Sequence, residues 1–576
     1  MSRYSLGLDF GTSSARALIV DIATGREAGC GSAPFRRGED GVLTEDRDPN
    51  IARQHPADWE EALQGAVLSA LERARADQGF SSDRIVGIGI DATASTPLPV
   101  SADLTPLAVD PSFASDPDAL AWLWKDHTSH AEAEEITEAA RREHPEYLVT
   151  CGGSYSSEWY FAKLLRALRA APRVMAAAAD WLEEGDWIAG RLTGATSPRD
   201  VKRNICAAGH KAMYHPSWGF PAVDFLSRID SRLGEWCRTR LPSKAYTSDT
   251  VAGTLSASWA ARLGLREGTP IAVAMIDAHA GAVGAGIRPG VLVRILGTSA
   301  CDMLVHPESE KLPDIPGISG IASGSILPGH HGLEAGQAAV GDLLKWFVRE
   351  FAAVEGKNYE ELAARAARLR PGESGLLALD WNNGNRSILA DPRLTGCLVG
   401  QTLRTRPHEV YRALVEATAF GARTILERFE EYGVRAREVV VCGGIAGKSP
   451  FFLQVQADVL GRPIAVSRAA ETCALGAAVL GAVAAARSFE RGKGERGPRV
   501  EDAQAAMTGI RPDRYEPDPA AKAVYDELYS LYRTLHDAFG TPRGPLRPVM
   551  RSLLEVRERI RGTVPGSPGG APHSSP

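Results

Sequence analysis

LGLDFGTSSARALIV, residues 6–20, decides the reading of this chain, because its design returns as LVRILGTSACDMLV at 292–305. Each copy is an apolar run, a Gly-Thr-Ser turn and a second apolar run, which is the pattern of a β-hairpin. A hairpin written once in each half of a chain points to an ancient duplication and two domains of one design.

The elements around the hairpins are α/β. At 58–91, Asp58 is the expected helix N-cap with Glu61 at the capping-box position. Leu63, Val67, Ala70, Leu71 and Ala74 recur at helical spacing, Gly79 stops the run, and RIVGIGID (84–91) follows as a buried strand. At 407–461, Val410, Leu414, Ala417, Gly421 and Ile425 form one helical stripe, EVVVC is a strand and GGIAGK a turn. Ser449 and Pro450 then open a helix that Gly461 ends. The domain boundary is expected near Gly268–Thr269–Pro270, giving domains 1–268 and 269–486. A charged linker and helical extension are expected over 487–562, and a tail of disordered composition over 563–576.

A chain of 576 residues exceeds one hydrophobic core and suits two domains with appendages. A net charge of −6 offers no general attraction to nucleic acid or anionic lipid, so any phosphate must be held locally. The eight cysteines are scattered without a CxxC pair, as in a reduced, cytoplasmic, metal-free protein. LGAAVLGAVAAA (475–486) is too short to span a bilayer, and no export leader is read at the N-terminus. No nucleic acid or membrane partner is expected, and a homodimer is left open.

The turns carry chemistry. Asp9 at a strand end, Gly11, the hydroxyls of Thr12, Ser13 and Ser14, and Arg16 suit a Mg-bound phosphate, with Asp9 the expected metal-associated carboxylate. One such turn is as readily an ordinary hairpin; its echo at Gly297, Thr298 and Ser299 favours a nucleotide held by both. GGIAGKS (443–449) misses the Walker A spacing by one residue and reads better as a loop and helix start near the nucleotide, through Gly443, Gly444 and Lys448. MIDAHA sets Asp277 at the end of a buried strand ahead of small residues, the place for a general base, although a helix-capping Asp would look the same. His279 is taken as supporting.

Lys211, Glu334, Gln337, Asn382, Asn383 and Arg386 lie among glycines in segments suited to sugar hydroxyls. Trp122, Trp124, Trp159, Trp181 and Trp187 are expected in the core rather than at a ligand. HTSH (127–130) and His330–His331 match no zinc spacing.

The set GLDFGTSSAR, GIGIDATASTPLPV, CAAGHKAMYHPSWGF, MIDAHA, LGTSA, GLEAGQAAVGD and LDWNNGNRS resembles the FGGY carbohydrate kinases, and within them the ribulokinases of L-arabinose catabolism. The resemblance covers about 4–486. It implies two actin-like (ribonuclease-H-like) domains, ATP with Mg in a cleft between them, and phosphorylation of L-ribulose. It assigns Asp277 as the base, and Ala94, Lys211, Asp277 and Glu334 to the sugar. Thr12, Ser13 and Arg16 go to the first phosphate loop, Gly297 and Thr298 to the second, and Gly443 and Gly444 to adenosine. Asp91 is a weaker candidate for support. Another ketopentose or polyol, such as D-ribulose or ribitol, stays open as substrate. A catalytically silent nucleotide sensor of the same fold stays open as a different class.

Overall fold

A strand that is apolar on both faces must be covered twice, and the first hairpin shows how this chain does it. The computed structural model describes residues 2–45, 48–352, 359–490 and 499–562. Tyr4–Phe10 pairs antiparallel with Ser14–Asp21, which pairs antiparallel with Glu27–Pro34. Tyr4–Phe10 also pairs parallel with Ile85–Ala92, in a register that sets Asp9 beside Asp91. The seven-stranded sheet is completed by Pro270–Ala272, Val251–Thr254 and the short Met275–Ile276.

Side chains alternate across this sheet. Leu6 and Leu8 enter a core with Trp59, Ala62, Ala66 and Ala70 of helix Pro56–Ala74. Gly7 and Gly89 point to helix Thr472–Glu490, where a Cβ on either would overlap the helix backbone, so these glycines permit the close approach. By length and hydropathy that helix could cross a membrane, yet its most apolar 18-residue window is 72% buried inside the protein.

The chain divides into two compact units. The first comprises Met1–Ile295, Met303–Glu334 and Ser467–Pro512; the second comprises Leu296–Asp302, Ala335–Val466 and Asp513–Pro576. The boundary expected after Gly268 falls inside the first unit, since Pro270–Ala272 continues its sheet. Val291–Leu296 and Ala300–Pro307 are neighbouring strands of a second seven-stranded sheet, the echo of the first hairpin. In the second unit, helix Pro407–Glu431 precedes strand Glu438–Cys442, which pairs parallel with Ile464–Ser467 around helix Pro450–Leu460. Ser449 caps that helix by accepting from the Phe452 amide, and Gly461 closes it at φ +61°.

Two local readings change. Asp58 lies within the first turn of its helix rather than at the cap, which His55 provides by accepting from Ala57. The Asp58 carboxylate is taken instead by the amide and guanidinium of Arg37. Of the expected linker, 500–504 belongs to helix Val500–Met507, 487–490 finishes helix Thr472–Glu490, and 491–498 lies outside the described residues. The expected tail at 563–576 also lies outside them.

Candidate functional site

The parallel pairing of the central strands puts carboxylates at one end of the first sheet. Asp9 is nearly the last residue of its strand, Asp91 is its neighbour in register, and Met275–Ile276 pairs with Asp91–Ala92 to deliver Asp277 next to them. Arg16, across the hairpin from Asp9, donates to its Oδ2 at 2.7 Å. Asp91 is wholly buried, and neither of its carboxylate oxygens meets a hydrogen-bond donor among the described residues. Burial, then the charges of Asp9 and Asp277, push its pKa well above the ordinary value.

Asp277 is the first residue of helix Asp277–Gly284, accepting the Ala278 amide at 2.7 Å. Asp277 thus follows directly on the strand, and Ile276, not Asp277, occupies the helix cap position. Burial first, then the nearby Asp9 charge, push the Asp277 carboxyl up to about 7. Near neutrality about half of such carboxyls are ionised, and the ionised form is a stronger base than an ordinary aspartate, as a general base needs to be.

Lys211 and Glu334 meet as one pair. Helix Ile205–Lys211 ends on Lys211, whose Nζ lies 3.3 and 3.4 Å from the two Glu334 oxygens. The fully buried His279, in the first turn of the Asp277 helix, shares a hydrogen bond with Glu334 at 3.2 Å, and His210 Nδ1 lies 3.7 Å from the same carboxylate. Lys211 charge, after the opposing cost of burial, holds Glu334 well below the ordinary carboxylate range. His210, His279 and Glu334 together have the donor set of a metal centre, a grouping that local spacing does not reveal. Lys211 already supplies the cation that this carboxylate balances.

The first turn is tied into the same unit. The Gly11 amide donates to the Ser14 carbonyl at 3.1 Å and closes the turn. The Phe35 amide donates to Ser13 O, and Gln54 Nε2 donates to Thr12 O at 2.7 Å. Trp124, expected in the core, is only half-buried, and its indole N–H donates to Thr12 Oγ1 at 3.0 Å. Trp122, Trp181 and Trp187 are fully buried as expected, while Trp159 lies 5.4 Å from the Lys211 ammonium. Ala94 sits in the segment that leaves strand Ile85–Ala92.

In the second unit the other glycine loops come together. Gly443 has φ +91°, and a Cβ there would stand 2.5 Å from Leu296 O, which also accepts the Ile445 amide. Gly297 and Thr298 accept the amides of Gly341 and Val340 at 3.1 and 2.8 Å, joining the second turn to the next helix start. The Gly297 amide is itself spent on Ser299 O. Lys448 is exposed at the end of the 443–448 loop. Of the polar residues expected to meet a sugar, Gln337 is otherwise engaged: its amide donates to Asp380 at 2.7 Å and to Thr418 O in the interior of this unit. Asn382, Asn383 and Arg386 belong to the second unit, and Lys211 and Glu334 to the first.

Comparison with known proteins supplies the context. Residues 4–284 match the N-terminal domain, and residues 292–485 the C-terminal domain, of the FGGY family of carbohydrate kinases. The chain is 40% identical over 573 residues to "Ribulokinase" of Geobacillus thermodenitrificans, covering 97% of this chain and 98% of that protein. It is 38% identical to "Ribulokinase" of Mycolicibacterium smegmatis over 97% of this chain and 98% of that one. Among solved structures, a ligand-bound xylulose kinase from Lactobacillus acidophilus aligns with a TM-score of 0.74 at 18% identity, over 94% of this chain and 99% of that chain. That likeness, with the two α/β units described above, gives the fold as two actin-like (ribonuclease-H-like) domains.

Proposed function

We infer the reaction from the premise that this chain belongs to the FGGY family of carbohydrate kinases and is a sugar kinase. The reading is that it transfers the γ-phosphoryl group of ATP to the terminal hydroxyl of L-ribulose, giving L-ribulose 5-phosphate. The observation that carries it is Asp277, a carboxyl poised near 7 at the tip of the sheet beside Asp9 and Asp91. The name shared by relatives at about 40% identity over nearly the whole chain supports the ketopentose.

In this reading the acceptor sugar lies between Asp277, the Lys211–Glu334 pair and the backbone at Ala94. Glu334 accepts from sugar hydroxyls, and Lys211 donates to a sugar oxygen. Asp277 takes the proton of the terminal hydroxyl as its oxygen bonds to phosphorus and the bridge to ADP breaks. Carrying that proton leaves Asp277 neutral, which relieves the crowding of negative charge with Asp9. Thr12, Ser13, Ser14 and Arg16 orient the transferring phosphate, while Gly297, Thr298, Gly443, Gly444 and Lys448 are assigned to the nucleotide.

Mg fits the residues present. Three carboxylates at one sheet end, with both Asp91 oxygens buried and lacking a donor, are more negative charge than Arg16 alone offsets. Asp9 would hold the ion directly or through water, with Asp91 behind it. Bound there, Mg supplies positive charge that offsets the phosphate oxygens during transfer.

Product analysis tests the reading. Incubation with ATP, Mg and L-ribulose should give one phosphate ester whose ³¹P signal couples to the two C5 protons, which in turn couple to H4. A signal coupled to the C1 protons, or no ester, would refute it.

A further inference from the structure

The chemistry proposed above does not use a second set of charged groups buried beneath the site. Lys163, on helix Tyr160–Ala170, has no exposed surface and donates to three backbone carbonyls: Ser95 at 2.7 Å, Trp122 at 3.2 Å and Leu123 at 2.7 Å. Glu183 accepts from Ser95 Oγ and from the Thr96 amide at 2.9 Å. Glu184, the next residue, accepts from Thr93 Oγ1 at 2.8 Å, and the Thr93 amide donates to Phe10 O at 3.1 Å. The Trp124 amide donates to Thr96 Oγ1 at 3.2 Å, while its indole reaches Thr12.

These bonds hold Thr93, Ser95 and Thr96, leaving Ala94 as the one residue of the four whose side chain ties nothing. The segment leaves the strand that pairs with Met275–Ile276, so it begins beside Asp277. Burial pulls the Lys163 ammonium down and pushes the Glu183 carboxyl up, the signature of charges kept at a cost. Lys163 and Glu183 feel each other's charge without a hydrogen bond between them, and apolar side chains in place of buried charges are often neutral or stabilising, so stability alone gives weak reason to keep them here. What these charges provide is geometry: the Ser95 carbonyl and the Thr96 amide of the four-residue segment are held at once, the former tied through Lys163 to the carbonyls of Trp122 and Leu123.

We propose that Lys163 and Glu183 are positioning residues for the acceptor sugar, fixing segment 93–96 so that the backbone at Ala94 meets the sugar at a set distance from Asp277. The idea rests on the reaction read above.

The test compares wild type, Lys163→Met and the double variant Lys163→Met/Glu183→Gln. The single variant leaves a buried carboxylate without its cation, so loss of folding there is expected; the double variant removes both charges. The double variant leaves the Ser95, Trp122 and Leu123 carbonyls without their donor and should melt below wild type, yet keep its KM for ATP within about twofold. Its KM for whichever sugar the wild type phosphorylates should rise about tenfold or more, the worth of one lost charged hydrogen bond. Amide exchange of a peptide spanning 92–98 should also quicken about tenfold in the absence of substrate. Wild-type sugar KM and exchange in the double variant would overturn the proposal, as would parallel losses in both KM values that track a lower melting point. Should the wild type phosphorylate no sugar, the reaction reading fails, and the exchange measurement still decides whether these charges hold the segment.

Discussion

Replacing Asp277 by Asn should stabilise the protein while disabling it. The ordinary aspartate value is 3.8, and in the fold it stands at about 7. At about 1.4 kcal/mol per unit this is roughly 4 kcal/mol held against the ionised form, discounted to about 2 kcal/mol because the half-buried carboxylate keeps some solvent. The sign follows from the raised value. A group that binds its proton more tightly when folded contributes its full stability below the unfolded value, and that contribution disappears as pH rises through the folded one. The gain on removing the charge is therefore largest above pH 7 and fades toward pH 4. Urea titration of the ligand-free protein at pH 8 should show Asp277→Asn more stable by about 2 kcal/mol, with the difference shrinking at pH 5. In the same preparation kcat should fall by about 10²–10⁴-fold, the range for a lost general base. For wild type, kcat/KM should fall about tenfold per pH unit below 7, as the base becomes protonated. A variant that is less stable at pH 8, or that keeps kcat within about tenfold of wild type, would refute the reasoning.

Glu334→Gln leaves Lys211 without its counter-charge and should raise the sugar KM by about tenfold to a hundredfold in steady-state kinetics, with the KM for ATP little changed. Gly443→Ala must place a Cβ against Leu296 O at positive φ, so it should weaken ATP binding by about 1–3 kcal/mol in calorimetry without altering the sugar KM. Asp91→Asn removes a buried carboxylate behind Asp9 and should raise the Mg concentration for half-maximal rate by about tenfold, with the fold intact by circular dichroism.

Much of this was legible in the sequence because it is local. The hairpin turns, the Ser449 cap, the Gly461 stop and the strand ending at Asp277 each sit within a few residues of their signal. Asp58 misled for the same reason: its spacing to Glu61 is that of a cap, but Arg37, 21 residues away, claims the carboxylate. The Gln337 amide looked free for a sugar until Asp380, 43 residues on, engaged it. Glu334 and His279 lie 55 residues apart, a pairing no periodicity encodes. Lys163 did leave a trace, as a charge among Phe161, Ala162, Leu164 and Leu165 on a buried helix face, but nothing local points to the carbonyls it serves. Trp124 was hidden by the rule that aromatic side chains pack in cores, which describes its neighbour Trp122 correctly.

The central claim is a sugar kinase whose acceptor is L-ribulose. Coupled ADP release at matched concentrations of L-ribulose, D-ribulose, L-xylulose, D-xylulose, ribitol and glycerol tests it most directly. The account predicts the highest kcat/KM with L-ribulose; a higher value with glycerol or either xylulose would contradict it.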